Sequence, residues 1–227
     1  MKLLSTLKCL CVPSGSSDRS IVTGPFKHIQ MRLSLETQFQ VYLGLWERET
    51  YPWLTRLSRD IMTAIDIGVA QGEHTLFFLK KTLARRVYAF EPDTSTSESF
   101  SRNLRLNKLG DSTRLEFSTN FLGAHCDEHH ITLDSIEACF DLPCLIKMDV
   151  DGYEEEILKG ASSLNTRNDV RWLIETHSKD LESACIRILS SNGFCTRVIP
   201  NAWWRVILPE GRMIEHNRWL AAWKENP

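Results

Sequence analysis

Four carboxylates in this chain stand where they could bind or react. Asp66, Glu91, Asp149 and Glu175 each close a strand-like apolar run, the runs beginning at Met62, Val87, Cys144 and Val170. If those runs are parallel strands, their carboxyl ends share one rim, and ligands of open α/β sheets bind in the crevice above it. Any one of these acids reads equally well as a solvated strand end or a helix cap. Four at one rim exceed what packing asks for, because a buried acid without a partner is costly.

Asp66 leads directly into Ile67-Gly68-Val69-Ala70-Gln71-Gly72-Glu73-His74-Thr75. Two glycines allow the backbone to approach a ligand closely, and free amides at the following helix start make a polar cradle. A nucleotide-like ligand suits such a place. Glu91, ending the next run, stands where doubly wound folds chelate ribose hydroxyls.

These residues need a scaffold that alternates strands and helices, and the chain from Ile61 onward supplies one. Strands are expected at Met62–Gly68, Val87–Glu91, Arg114–Ser118, Cys144–Val150, Val170–Glu175, Phe194–Ile199 and Arg218–Trp223, seven in all. Helices are expected over Glu73–Leu83, from a cap at Asp93 to before Gly110, over Tyr153–Lys159 and over Lys179–Ser191. Ile131–Ile136 reads as a short strand entering a helical turn. Upstream, Pro13–Ser20 reads as a linker. Thr23-Gly24-Pro25 signals a turn, and alternating Ile29, Met31 and Leu33 suggest a hairpin or edge strand. The aromatic-rich stretch from Gln38 to Leu57 reads as packing, with a lid carrying Trp46 and Glu47 as the functional alternative. The domain expectation is an N-terminal extension over residues 1–60 and one α/β domain over 61–227.

Composition narrows the function classes. The chain has 227 residues, 42% hydrophobic and 25% charged, and a net charge of −2. With a pI near 6.4 it carries no broad basic field, which argues against a nucleic-acid partner. Seven cysteines, odd in number and scattered, fit free thiols in a reducing, cytoplasmic setting. The opening Met1–Val12 resembles a signal peptide only in part, since Lys8 interrupts it and no small-residue cleavage site follows. No run approaches the ~20 apolar residues of a membrane span, so a soluble protein is expected.

Ile65–Thr75 followed by Val87-Tyr88-Ala89-Phe90-Glu91-Pro92-Asp93 resembles motifs I and II of class I S-adenosylmethionine-dependent methyltransferases. Ile131-Thr132-Leu133-Asp134, the block Leu145–Glu154 and Glu156-Ile157-Leu158-Lys159-Gly160 narrow the likeness to the FkbM-type branch, as does Asn217-Arg218-Trp219-Leu220. The resemblance runs from about Gly44 to Trp223. It implies a Rossmann-like, seven-stranded, mostly parallel sheet with helices on both faces, and S-adenosyl-L-methionine as cofactor. Asp66 and the loop Gly68, Ala70, Gly72 would hold its amino-acid part, with His74 and Thr75 at the helix start in the same set. Glu91 would take the ribose hydroxyls, and Asn120 and Phe121 would border the adenine. Members chiefly methylate hydroxyls, often on sugars or secondary metabolites, so the implied partner is a small-molecule or carbohydrate hydroxyl acceptor. Ala70 departs from many methyltransferases, which carry a glycine there.

Methyl transfer to a hydroxyl demands alignment and a base for the departing proton. Asp149, Glu175 and His177 are the candidates, with Lys147 as an alternative or as a partner of Asp149 or Glu175. His177 has the most suitable ordinary pKa, though a histidine at a strand end is as readily a structural hydrogen bonder. A divalent metal on Asp149, Glu175 and His177 stays open, because some O-methyltransferases use one. No metal is assigned; the loop cluster Cys126, Asp127, His129 and His130 lacks a second half. Two rivals remain. A nicotinamide oxidoreductase expects G-x-G-x-x-G after the first strand, whereas this chain has Gly68-x-x-x-Gly72. A non-catalytic module would keep the pocket alone. Acceptor contacts are expected from Val41–Trp53 and Asn201–His216.

Overall fold

The computed structural model describes residues 15–206 and 216–225. The Met1–Val12 segment and the Pro209-Glu210-Gly211 turn lie outside them, as does most of Asn201–His216.

Seven strands form one sheet: β3 (Thr63–Ile67), β4 (Arg86–Phe90), β5 (Leu115–Ser118), β8 (Cys144–Met148), β9 (Val170–Thr176), β10 (Cys195–Ile199) and β11 (Arg218–Trp223). Their order is β10-β11-β9-β8-β3-β4-β5. β11 runs antiparallel to both its neighbours and the remaining pairs are parallel. β3 and β8 are buried at every residue, as strands covered on both faces must be. Strand order reverses between β3 and β8, which makes their carboxyl ends the topological switch point of the sheet.

Period-two alternation sorts the strand residues between two cores. Ile65, Ile67, Ile146, Met148, Trp172 and Ile174 face one side. There they meet Leu133 of α5 (Leu133–Ile136), Ile157 and Leu158 of α6 (Glu154–Lys159), and Cys185 and Leu189 of α7 (Lys179–Ser191). Ala64, Leu145, Leu173, Trp219 and Ala221 face the other. That face is covered by α2 (Tyr51–Leu57), α3 (Glu73–Lys81) and α4 (Ser97–Leu106), and by a small N-terminal sheet of β1 (Ser16–Ser20) and β2 (Gln30–Ser34). Between that sheet and α2 runs α1 (Leu35–Leu43). β6 (Phe121–Leu122) and β7 (His130–Ile131) form a third, two-residue pairing.

One expectation needs correcting. Ser16–Ser20 is not linker but a strand paired in antiparallel register with Gln30–Ser34. Its Ser-Ser-Asp-Arg-Ser sequence looks like a linker because it has no apolar side chain; main-chain pairing holds it, with Asp18 beside Arg32 and Arg102 at 3.3 and 3.6 Å. The partner strand β2 is seated on α4 by amide side chains. Asn107 Oδ1 accepts from Gln30 N at 3.0 Å and Asn103 Oδ1 from Arg32 N at 2.9 Å, so the free edge of β2 is satisfied without another strand. Among the described residues no helix is long and apolar enough to cross a membrane.

Candidate functional site

The polar residues of the rim continue the alternation of the second core. Asp66 lies in register with Lys147 across the parallel β3–β8 pair, so the two side chains leave the sheet side by side. Lys147 Nζ stands 3.1 Å from Asp66 Oδ1 and donates to the carbonyl oxygen of Gly68 at 2.7 Å. Asp149 Oδ2 is 3.9 Å away on the other side. Thr75 Oγ1 donates to Asp66 Oδ2 at 2.6 Å. Burial pulls the Lys147 pKa down, but Asp66, Asp149, Glu47 and Glu73 together outweigh it and leave the ammonium above its ordinary value. An ammonium so surrounded by acids favours the charged form, which suits the pairing role for Lys147 over that of a base. Its geometry is that of a staple between β3, β8 and the loop after β3.

That loop is braced from every side. Gly68 has φ +79°, and a Cβ there would overlap the Asp149 carbonyl oxygen. Glu91 accepts from Ala70 N through Oε2 and from Asp93 N through Oε1, both at 2.9 Å. Gln71 is held twice, its carbonyl by Asn103 Nδ2 and its side chain by Gln38 Nε2, each at 2.9 Å. Ala70 itself sits at φ +47°, a left-handed conformation that favours glycine over a residue with Cβ.

Above the switch point lies a cleft of about 620 Å³, within the range of small-molecule sites. Gly68, Ala70, Glu91, Asn120, Phe121 and Asp149 line it. Asp66 and Thr75 are buried behind its floor, and Gly72 turns toward the Phe100 ring. His74 does not reach the cleft. It packs edge-on to Phe26 at 5.2 Å and near Trp219 at 6.3 Å, and burial lowers its pKa to about 4, so it is a neutral core ring. Trp46 and Glu47 line a separate small cavity with Glu73 and His74 rather than the cleft. Burial raises the Glu73 carboxyl above its ordinary range, against the lowering effects of a backbone hydrogen bond and Lys147.

The acids of β8 and β9 gather around His177. Its Nε2 is 3.6 Å from Asp149 Oδ1, 3.3 Å from Asp151 Oδ1 and 3.9 Å from Glu175 Oε2. Its Nδ1 and backbone N both donate to Glu154 Oε1, at 2.8 and 3.0 Å. Burial draws the His177 pKa down, but Glu154, Asp149 and Asp151 outweigh it and raise the net value. Asp149, Glu175 and His177 form a group able to hold a metal ion. In the loop cluster, Asp127 instead accepts from His129 N, His130 N and His130 Nδ1, closing the turn on itself.

Sequence reasoning missed Asp93, Thr96, Asp151 and Tyr153 on the cleft wall and Glu154 behind His177. Tyr153 and Glu154 lie in the block Leu145–Glu154, where the local pattern marks them only as the start of a helix. Asn103 and Gln38 left no local signal at all.

No family model matches this sequence, and neither does any curated protein. Solved structures do. The chain superposes with TM-score 0.56 and 20% identity on the methyltransferase FkbM from Methylobacillus flagellatus KT, covering 73% of this chain and 44% of that one. The chain thus spans under half the length of that neighbour. A precorrin-6y C5,15-methyltransferase from Geobacter metallireducens GS-15 gives TM-score 0.51 at 16% identity, over 76% and 84% of the two chains. An rRNA methylase from Streptococcus thermophilus gives 0.50 at 11%, over 78% and 93%. The chain therefore has the class I methyltransferase fold, and its structural neighbours include methyltransferases of quite different acceptors.

Proposed function

We propose that the chain is an S-adenosylmethionine-dependent methyltransferase acting on a hydroxyl of a small molecule or sugar. One observation carries this reading: the Gly68 loop, Glu91 and Asp149 converge on a single cleft at the switch point of a class I methyltransferase fold. The cleft fits the cofactor. Gly68 leaves open main chain where a side chain cannot go, and each Glu91 oxygen, already accepting one amide, keeps a second lone pair for a ribose hydroxyl. Phe121 and Leu122 offer an apolar wall for the adenine beside Asn120. Asp149 and Asp151 place negative charge where a cationic sulfonium and ammonium would lie.

S-adenosylmethionine supplies a methyl group activated on a sulfonium. The protein's part is to align an acceptor with it and to receive a proton. Lys147 fixes the loop and Asp149 relative to each other. Asp149, Glu175 and His177 surround the place where the acceptor's proton leaves. In this reading the extension, residues 1–60, bears on acceptor choice, and 61–227 is the methyltransferase domain. The described cysteines, Cys126, Cys139, Cys144, Cys185 and Cys195, are all free thiols, which supports a cytoplasmic setting.

The test joins calorimetric titration of purified protein with S-adenosylmethionine to labelled methyl transfer into fractionated cell extract. Binding and a labelled hydroxyl compound are expected. Glu91→Ala should weaken binding at least about a hundredfold, since lost hydrogen bonds to a charged group cost ~1.5–3 kcal/mol each. Absence of binding, or binding indifferent to Glu91→Ala, sinks the reading. Binding with no labelled product in any fraction points to a non-catalytic module, and label in RNA replaces the acceptor class.

A further inference from the structure

We infer that the outer face of α2 carries a binding site for a small molecule bearing a mono- or diphosphate group, held by Arg48, Arg56 and Arg59. The site shares no residue with the cleft, and the inference does not rest on the methyltransferase reading.

Arg48 opens the helical turn (Arg48–Thr50) that runs straight into α2, and Arg59 stands just past its end. Positions 48, 52, 55, 56 and 59 recur at helical spacing and share one face. Along it runs a groove of about 480 Å³, lined by the three arginines, by Tyr51 and Thr55, and by the Gly24-Pro25 turn. The arginines are exposed, no carboxylate lines the groove, and among the described residues none of the three makes an ion pair. Like charges gathered without an acid repel one another, and an anion among them relieves that. Glu49, the acid next to Arg48, pairs instead with Arg205. Arg56 is placed by aromatic faces, its guanidinium lying over the Trp53 and Trp223 rings at 5.3 and 4.9 Å. A stacked guanidinium keeps its charge and its N–H edge, and loses less freedom when it binds. Arg171 Nη1 donates to the carbonyl oxygens of Leu57 and Arg59 at 2.8 and 2.5 Å, which masks the negative end of α2 that would oppose an anion. Tyr51 is a fixed wall: Phe26 meets it edge-on at 5.5 Å, and a Cβ on Gly24 would stand 2.5 Å from its ring. Guanidinium forks match phosphate oxygens two at a time, and a rigid ring beside them suits the sugar or base attached to the phosphate. The cationic corner after α4 is not equivalent, because Asp111 lines it and Arg114 spends its guanidinium on the carbonyls of Leu79 and Ala84. On a chain of net charge −2, a groove of three cations matches one or two phosphate groups rather than a nucleic-acid strand.

Inorganic pyrophosphate and glucose 6-phosphate are the probes. Calorimetric titration of each into the full chain, at an ionic strength held constant with chloride, should show a single saturable site. Arg56→Gln should weaken binding at least about tenfold, and Arg48→Gln and Arg59→Gln at least about fivefold each. Arg56→Lys, which keeps the charge but loses the planar fork, should recover only part of the loss. Arg48→Gln and Arg59→Gln are exposed positions that make no ion pair, so they decide the matter even where Arg56→Gln disturbs the tryptophan pair. Arg105→Gln, outside the groove, should change affinity by less than about twofold. The absence of saturable binding to both probes overturns the site. Binding indifferent to all three groove substitutions, or lost in Arg105→Gln, overturns it too. Retention on phosphatidylserine vesicles or on an RNA oligonucleotide that excess pyrophosphate does not displace would replace the small ligand with a membrane surface or a strand, and overturns the inference as well.

Discussion

Past β3 and β4 the cleft wall is a main-chain loop held by one acid, Glu91; past β8 it is a run of side chains, Asp149, Asp151 and Tyr153. On the first side Gly68 and Ala70 present backbone to the ligand space, and the acid Glu91 spends a lone pair of each oxygen on holding that backbone. On the second side Asp149 and Asp151 reach the cleft directly, with His177 and Glu175 behind them. A wall of backbone is set by dihedral angles and close approach, so it accepts almost no change of residue and serves a ligand that does not vary. A wall of side chains can be retuned residue by residue. Lys147 is the seam, touching Gly68 and Asp66 on one side and Asp149 on the other.

Cutting the seam has the largest expected effect. Lys147→Met leaves Asp66 buried opposite a thioether, and removing one member of a buried pair costs ~3–5 kcal/mol. Urea denaturation should show a loss of that size, and adding Asp66→Asn should recover a good part of it. A loss under about 1 kcal/mol would mean that the two walls are not joined through this pair.

His74 marks where the main-chain wall stops. Its folded pKa of about 4 lies below the ordinary 6.5, so the stability it confers is present above pH 6.5 and lost as pH falls toward 4. Relative to neutral pH the loss is about 2 kcal/mol at pH 5. His74→Phe, which keeps an aromatic ring against Phe26 and Trp219, should flatten that acid limb in melting curves from pH 7.5 to 5 while leaving S-adenosylmethionine affinity within a few-fold. An unchanged acid limb would show that the ring is not the group being protonated, and a large loss of affinity would return His74 to the ligand.

The two walls were unequally legible in the sequence. Gly68 and Glu91 announced themselves, because a glycine loop after an apolar run and an acid after the next are local patterns. The seven strands of the sheet were equally plain, since runs such as Cys144–Met148 are buried on both faces and cannot hide their apolarity. Lys147 was visible as an anomaly, but its partner was not, because Asp66 becomes its neighbour only through the β3–β8 register. Asn103, Gln38 and Glu154 act through contacts 32, 33 and 23 residues away in sequence, and nothing local distinguishes such an amide or acid from a solvated one. His74 was misplaced for the same reason: a helix-start histidine looks polar until Phe26 and Trp219 are known to enclose it. β1 escaped because an edge strand held by main chain has no apolar signature.

The sharpest comparison comes from paired substitutions in the loop itself. Gly68→Ala places a methyl group against the Asp149 carbonyl and strains a left-handed residue, a conformation that alone costs ~1–2 kcal/mol for a residue with Cβ. It should lose S-adenosylmethionine affinity by at least about tenfold, whereas His177→Gln, on the side-chain wall, should keep it within a few-fold.

Ala70→Gly goes the other way and has the smallest effect. Relief of the strain at φ +47° is offset by the extra freedom of glycine in the unfolded chain, worth roughly 0.5–1 kcal/mol. The net change should fall between zero and about 1 kcal/mol of added stability. The Ala70 amide, not its methyl, carries the bond to Glu91, so affinity should move by less than about threefold. A clear loss of binding on removing that methyl would mean that the Gly68–Gly72 loop reads its ligand with a side chain as well as with main chain, and the contrast between the two halves of the cleft would dissolve.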